Sequence, residues 1–502
     1  MALPVLHSPQ QAASWLRARV GGQLQADSRQ VRAGDGFIAW PGAATDGRQY
    51  VGNALAQGAT ACLVELEGAE DFRWDDGAPV AAYANLKAAT SLVADAYYEH
   101  PSRALNVVAI TGTNGKTTTA WWLSLMLSKM KLPALSPCAL VGTLGIGVAP
   151  DVQSTGMTTP DPVLLQRRFR DFVDAGVRSC AIEASSIGIA EHRLDGTRIR
   201  VAVFTNFTQD HLDYHGSMQA YWQAKAALFG WPGLQAAVIN LDDPRGAELA
   251  ALAADRGVDV WTYSLQQPAR LAGSGLTHSA QGMGWQVHEA GETAALRTSL
   301  VGDYNASNLM GVLAALRALG VPLADAVVAC SDLPPVPGRM QRIDAAGAPL
   351  AVVDYAHTPD ALAKALAALR PLADARGGRL WCVFGCGGNR DAAKRPLMAA
   401  AAQAAADRLI VTSDNPRDES SQAIIDQVLA GLTGRPAALV EPDRARAIER
   451  AIHEAATEDV VLVAGKGHET YQEIAGQRLP FSDVDQVQQA LAARQTAPEV
   501  RA

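Results

Sequence analysis

The stretch Leu105–Met130, LNVVAITGTNGKTTTAWWLSLMLSKM, constrains this chain more than any other. Leu105–Ile110 is a short apolar run suited to a buried strand, and from Lys116 onward apolar residues recur at helical spacing. Between them, Thr111-Gly112-Thr113-Asn114-Gly115-Lys116-Thr117 puts glycines where a backbone must approach a phosphate closely. Free N–H groups at a helix start then meet the anion, Lys116 neutralises the terminal phosphates, and the Thr117 hydroxyl is suited to Mg²⁺. The general phosphate loop has four residues between its first Gly and Gly-Lys. Here only Thr113 and Asn114 separate Gly112 from Gly115, so the loop is a shortened version. A plain glycine turn has no need of strand, loop, Lys-Thr and helix in that order.

At 502 residues the chain is too long for one core and points to three domains, here 1–100, 103–337 and 338–502. A net charge of −8 and a pI near 5.7, with no basic stripe, exclude an ordinary nucleic-acid binder. The six cysteines are scattered through apolar segments without zinc-like pairs, which predicts reduced core thiols. Gln10, Gln11 and Arg17 break any signal-like apolar run, and Met398–Ala406 is too short to span a bilayer. The expectation is a cytoplasmic protein with no membrane partner.

The first hundred residues read as a small α/β domain, with polar loops at Ala26–Arg29 and Pro41–Arg48; ordinary turns account for both. His100-Pro101-Ser102 makes a first hinge and Pro334–Gly338 a second. Between them, strands alternate with helices as in a largely parallel sheet. Ligands collect at the carboxyl ends of such strands. Three polar clusters fall there: the phosphate loop, Glu183-Ala184-Ser185-Ser186, and Asn206–His211. If those strands are neighbours, Thr117, Glu183 and His211 converge on one metal–phosphate site. His211 and His215, four apart, invite a zinc reading, but Leu212 stands where a zinc-protease helix needs Glu, and an oxygen-rich magnesium site fits better. Asn305 and Asn308, three apart at a helix start, share a face; helix capping is the plain reading of such residues. The last domain again alternates α and β, with strand-end loops at Asp354–Pro359, Gly385–Arg390, Ser413–Arg417 and Gly465–Glu469. Gly385–Gly388 is not a dinucleotide fingerprint; Arg390, Arg417 and Glu469 instead suggest a mixed-charge pocket for a zwitterion.

Together, Gly112–Thr117, Glu183–Ser186, Asp210–His215, Gly302–Asn308, Pro337–Met340 and Asp354–Pro359 resemble the Mur ligases of peptidoglycan synthesis, in order and spacing across nearly the whole chain. The resemblance implies a three-domain α/β architecture, with a P-loop ATPase-like central domain on a parallel sheet and a Rossmann-like C-terminal domain. It implies an ATP-consuming amide synthesis through an acyl phosphate. Asp414-Asn415-Pro416-Arg417 and Gly465–Glu469 resemble the branch that adds meso-2,6-diaminopimelate to UDP-N-acetylmuramoyl-L-alanyl-D-glutamate, acting as a monomer.

By that resemblance, Gly112, Thr113, Asn114, Gly115, Lys116, Thr117, Thr118, Asn305, Asn308, Arg339 and Asp354 bind ATP. Thr117 and Glu183 hold one Mg²⁺, while Glu183, His211 and a carbamylated Lys225 serve a second. Ser28, Ala43, Ala44, Thr45, Thr158, Thr159, Ser185, Glu191 and Arg193 meet the UDP-sugar peptide. Arg390, Asp414, Asn415, Pro416, Arg417, Gly465 and Glu469 take the diamino acid. Two positions depart from the family pattern: Ile187 replaces a His, and Glu191 replaces a Gln that contacts the peptide. An ionised Glu beside an anionic nucleotide sugar requires compensation by Arg193 or a metal. Folylpolyglutamate synthetase shares the phosphate loop, but here a full N-terminal domain precedes it and the Asp-Asn-Pro-Arg segment is present. A catalytically silent scaffold is opposed by the intact Lys116, Thr117, Glu183, His211 and Lys225.

Overall fold

The computed structural model describes residues 3–42, 45–279, 281–434 and 438–496. Two compact units emerge: Met1–Gly273 with His288–Glu292 and Ser307–Ala329, and Ser274–Val287 with Thr293–Ala306 and Cys330–Ala502.

The first unit opens on five short strands, β1 (Val5–Leu6), β2 (Leu24–Gln25), β3 (Gly36–Ala39), β4 (Ala61–Glu65) and β5 (Val80–Tyr83), in the order β1-β5-β4-β3-β2. All four pairings are parallel. Both faces are covered, which is why β3, β4 and β5 are buried along their whole length rather than alternating. Leu63 and Ala81 pack on one side, Cys62 and Val64 on the other.

The larger sheet of this unit holds β6 (Asn106–Thr111), β7 (Cys138–Gly142), β8 (Gly145–Val148), β9 (Asp151–Gln153), β10 (Ser179–Glu183), β11 (Ile199–Phe204), β12 (Ala236–Asn240) and β13 (Asp259–Ser264). Their spatial order is β13-β12-β11-β6-β10-β7-β8-β9. From β13 to β7 every pairing is parallel; β8 and β9 add an antiparallel edge. Residue 106 of β6 pairs with Ser179 and residue 110 with Glu183, so β6 and β10 end level. At the end of β11, Phe204 is fully buried and meets Trp222 and Phe229 edge-on. Truncating it to Ala would cost about 3–5 kcal/mol and loosen the segment that follows. The chain continues through β14 (Leu271–Ser279), β15 (Gly282–Glu289) and β16 (Glu292–Thr298), then the helix Asp303–Ala318.

The second unit is built on β17 (Gln341–Ile343), β18 (Leu350–Asp354), β19 (Leu380–Phe384), β20 (Arg408–Val411), β21 (Leu439–Val440) and β22 (Val460–Ala464). Their order is β17-β18-β22-β19-β20-β21, parallel except for β17. Helix Pro359–Arg376 starts on Thr358, whose hydroxyl caps Ala361 N–H, with Pro359 in the first turn, and stops at Gly377 in the left-handed conformation. A hairpin of β23 (Tyr471–Ile474) and β24 (Gln477–Pro480) follows, then the helix Asp483–Thr496. All six cysteines are free and buried. Among the described residues no helix is long and apolar enough to cross a membrane.

Candidate active site

The three polar clusters lie side by side, because β6 sits between β10 and β11. The phosphate loop follows β6. Gly112 and Gly115 adopt φ of 149° and 85°, and a Cβ there would lie 1.9 Å from Thr205 Oγ1 and 2.3 Å from Asn308 Oδ1. Both positions therefore exclude any side chain. The loop is clamped to the end of β11: Thr113 N–H donates to Asn206 O (2.8 Å), Asn114 N–H to Asn206 Oδ1 (2.9 Å), and Thr205 Oγ1 to Asn114 O (2.6 Å). Lys116 Nζ folds back onto Gly112 O (2.9 Å) and Thr113 O (2.8 Å).

Behind the loop, Thr117 Oγ1 donates to Glu183 Oε2 at 2.9 Å. Glu183 Oε1 accepts from Thr143 N–H at 2.7 Å, and a Cβ on Gly142 would lie 2.2 Å from that oxygen. The Thr143 and Thr158 hydroxyls are 3.0 Å apart, Thr159 Oγ1 donates to Glu183 O (2.7 Å) and lies 2.9 Å from Ser185 Oγ, and Arg193 Nη1 donates to Thr159 O (2.8 Å). One network thus joins Thr117, Glu183, Thr158, Thr159, Ser185 and Arg193.

Lys225 is 1% exposed, yet its Nζ donates to Gly112 O at 2.8 Å, beside Lys116. Burial, and then the charge of Lys116, hold its amine well below the ordinary lysine range, with Asp210 opposing. Its Nζ lies 4.4 Å from the ring centre of Tyr221, whose hydroxyl is 3.2 Å from Thr113 Oγ1. His211 is exposed, left-handed at φ 50°, and stands 6.0 Å from the Tyr221 ring. The histidines four apart form a single helical turn, Leu212–His215, in which His215 Nε2 bonds Ser186 Oγ (3.0 Å). Among the described residues no three His, Cys, Asp or Glu side chains gather as a metal site. The Thr117 hydroxyl and the Glu183 carboxylate form an all-oxygen pair that fits Mg²⁺, an ion that completes its shell with phosphate and water.

The two asparagines part company. Asn308 faces Gly115 of the phosphate loop, whereas Asn305 Nδ2 donates to Val301 O at 2.8 Å, the carbonyl four residues back, rather than accepting a backbone N–H as a helix cap would. Ser28 opens a one-turn helix after β2, and Thr45 Oγ1 lies 3.2 Å from the Tyr50 hydroxyl. Ala43 and Ala44 fall outside the described residues.

In the second unit, Arg390, Arg417 and Glu469 follow β19, β20 and β22, which are adjacent in the sheet. Asn415 is central: its Nδ2 donates to Glu469 Oε2 (2.8 Å) and its Oδ1 accepts from Lys466 Nζ (3.0 Å) and Glu473 N–H (2.9 Å). Lys466, fully buried, also bonds Glu469 Oε2 at 2.9 Å. Arg417 takes a left-handed backbone, donates from Nη1 to Gly388 O (2.7 Å), and lies 3.8 Å from Glu473. A Cβ on Gly465 would lie 2.4 Å from Asp414 Oδ2. Arg390 is exposed. Arg339 stacks 4.1 Å from the centre of Tyr355, and Asp354 accepts from Met340 and Ala356 N–H groups. Burial raises the Asp354 carboxyl, against the pull of Arg339.

Sequence reasoning missed Thr143, Lys466 and Glu473. Thr143 had a signal, its place after a strand; Lys466 lay inside a segment already singled out; nothing local marks Glu473.

Residues 23–107 match the Mur ligase family catalytic domain, 110–316 the Mur ligase middle domain, and 338–467 the Mur ligase glutamate ligase domain. A UDP-N-acetylmuramoyl-L-alanyl-D-glutamate--2,6-diaminopimelate ligase from Acidovorax sp. (strain JS42) is 62% identical over 98% of this chain and 99% of its own. A solved structure of a ligase with that name aligns at TM-score 0.67 and 35% identity, covering 95% of both chains. A Mycobacterium tuberculosis folylpolyglutamate synthase complexed with ADP shares the fold at TM-score 0.61 and 21% identity, over 79% of this chain and 93% of its own. Three consecutive family domains and a full-length relative at that identity lead to one conclusion: the chain belongs to the Mur ligase family.

Proposed function

We propose that this enzyme joins meso-2,6-diaminopimelate to UDP-N-acetylmuramoyl-L-alanyl-D-glutamate at the expense of ATP, a cytoplasmic step of peptidoglycan precursor synthesis carried out by a monomer. One observation carries the reading: a phosphate loop with Thr117 on Glu183 and Lys225 on Gly112 O stands in a chain 62% identical, end to end, to a ligase of that name. The folylpolyglutamate alternative rests on fold alone and is not favoured.

A carboxylate at neutral pH is a poor electrophile and must first gain a leaving group. The loop N–H groups and Lys116 hold the ATP phosphates while the substrate carboxylate oxygen takes the γ-phosphoryl group and ADP departs. Thr117 and Glu183 would hold a magnesium ion, which would neutralise charge at those phosphates. The amine nitrogen then attacks the acyl carbon, gives up a proton, and phosphate leaves as the C–O bond breaks. Lys225, whose neutral amine is the form that reacts, takes up CO₂ as a carbamate and, with Glu183 and His211, would hold a second metal ion. Gly112–Thr118, Asn305, Asn308, Arg339 and Asp354 serve ATP. Ser28, Ala43, Ala44, Thr45, Thr158, Thr159, Ser185, Glu191 and Arg193 serve the nucleotide peptide, with the N-terminal domain ending near residue 100 and the amine-binding domain starting near 338.

Arg417 and Asn415 receive the distal carboxylate of the diamino acid, aided by Arg390, Asp414, Pro416 and Gly465. Glu469 faces an ammonium, its charge tempered by Lys466. Phosphate release from ATP and UDP-N-acetylmuramoyl-L-alanyl-D-glutamate, compared with meso-diaminopimelate, L-lysine and no amine, tests the reading. Release with the first amine alone is expected; none with any amine leaves a silent scaffold.

A further inference from the structure

Glu191 stands where the family pattern has Gln, and its surroundings explain how a carboxylate is tolerated. The residue closes the short helix Ser186–Ala190, an end where negative charge gains nothing from the backbone. Arg193, two residues on, donates from Nη1 to Thr159 O and Met157 sulfur, so it acts on Glu191 through its charge rather than by a hydrogen bond, and its pull comes after that of Lys87 and Tyr214. The partner that does reach Glu191 is Lys87, on the helix Leu86–Tyr97: its Nζ lies 2.6 Å from Glu191 Oε2. The other carboxylate oxygen accepts the Tyr214 hydroxyl. Tyr214 belongs to the single turn Leu212–His215 that carries His211 at its start, and is 43% exposed. That turn has few other anchors, chiefly His215 on Ser186. One carboxylate thus links three segments: the helix after β5, the helix after Glu183, and the His211 turn.

As a stability device the pair is unremarkable. Its side chains are 45% and 25% exposed, and such pairs contribute little to folding. Its consequence is local charge and local placement. Glu191 closes the helix that begins beside Ser185, where the proposed function places an anionic nucleotide peptide, and an unpaired carboxylate there would repel it. We propose that Lys87 is a positioning residue for the reaction: paired with Glu191, it cancels a repulsive charge beside the nucleotide-peptide site and fixes the carboxylate on whose other oxygen Tyr214, and with it the His211 turn, is anchored. This rests on the proposed function for its substrate and on the geometry alone for the turn.

The test uses full-length wild type, K87M, E191Q, K87M/E191Q and E191A. Steady-state kinetics with UDP-N-acetylmuramoyl-L-alanyl-D-glutamate should show K87M raising KM for that substrate about three- to tenfold at low salt, an effect that shrinks as ionic strength rises. E191Q should lower the same KM by roughly two- to threefold, because the lysine charge then acts alone. In the E191Q background K87M should cost only the roughly two- to threefold that E191Q gained, returning KM to about the wild-type value. A K87M indistinguishable from wild type, or a double variant as impaired as K87M, overturns the charge argument. Hydrogen exchange at Tyr214, His215 and Gly216 amides supplies a readout independent of turnover. Exchange should quicken in E191A and stay slow in E191Q, whose amide oxygen still accepts the phenol; equal exchange in both overturns the placement argument. Wild type failing to turn over the dipeptide would sink the proposed function instead, while the exchange result would still decide the role of Glu191 in holding the turn.

Discussion

Lys225 and Lys116 share one acceptor: both Nζ atoms lie within 2.9 Å of the Gly112 carbonyl oxygen. Two full positive charges on one carbonyl are mutually unfavourable, and the deeper of the two, Lys225, yields its proton more readily. The same burial and neighbouring charge bring the neutral amine, the form that reacts with CO₂, within easier reach at Lys225. Lys225→Ala should be inactive and partly restored by short carboxylic acids. Carbon-13 NMR in labelled bicarbonate should show a carbamate resonance in wild type that the variant lacks; an active enzyme with no such resonance removes the modification from the mechanism.

Lys116→Ala should fold normally, because the half-buried ammonium donates to the Gly112 and Thr113 carbonyls of its own loop rather than filling the core. Turnover should fall by several orders of magnitude, since phosphoryl transfer relies on preorganised charge. Circular dichroism with a phosphate-release assay separates the two effects. Near-normal activity would take the loop out of the chemistry.

Arg417 already donates to Gly388 O, and its salt contact with Glu473 is long at 3.8 Å, so the guanidinium is held in place without being neutralised at close range. If it clamps a desolvated ligand carboxylate, Arg417→Ala should cost roughly 2–5 kcal/mol in transition-state binding of meso-diaminopimelate. At about 1.4 kcal/mol per tenfold, kcat/KM should drop by at least an order of magnitude. Lysine has no such carboxylate, and its use should change little. Proportional losses with both amines would place selection elsewhere.

His468 is held neutral: burial, and then the charge of Arg339, lower its imidazole from the ordinary 6.5 to about 4. The unfolded chain therefore takes up a proton near pH 6.5 and the folded chain only near 4. The stability this group contributes is complete above about pH 6.5 and lost progressively as pH falls toward 4. Denaturant midpoints at about pH 7 and pH 4.5 should fall less steeply in His468→Gln than in wild type, the carboxylates being common to both. Parallel declines would mean that the imidazole is not held neutral.

The phosphate loop was legible in the sequence because its geometry is local: two glycines, a lysine and a threonine between a strand and a helix. The convergence of Thr117 with Glu183 depended on strand order, which is a long-range property. The chain visits β6, β10 and β11 in that order but places β6 between the other two. Thr143 looked like an ordinary residue after a strand, and only the pairing of β7 with β10 brings it to Glu183. Asn305 and Asn308 share a face by spacing, yet one donates to Val301 O just before the helix and the other faces Gly115, a difference that spacing alone does not reveal. The compensation at Glu191 was expected from Arg193 or a metal. Arg193 does contribute through its charge, but the direct ion pair comes from Lys87, a lysine on a helix no local pattern connects to it.

Within the second unit, Arg444 and Asp483 are completely buried against each other, and the same guanidinium donates to Ser413 O and Ala464 O. Those carbonyls lie directly before Asp414 and Gly465, the starts of the two loops proposed to select the amine, while Asp483 is the first residue of the helix Asp483–Thr496. Leaving such a cation without its carboxylate typically costs about 3–5 kcal/mol. On that proposal the helix starting at Asp483 supports substrate choice from a distance: proteolytic trimming back to residue 482 should degrade discrimination between diamino acids, even though no residue of the removed segment need touch one.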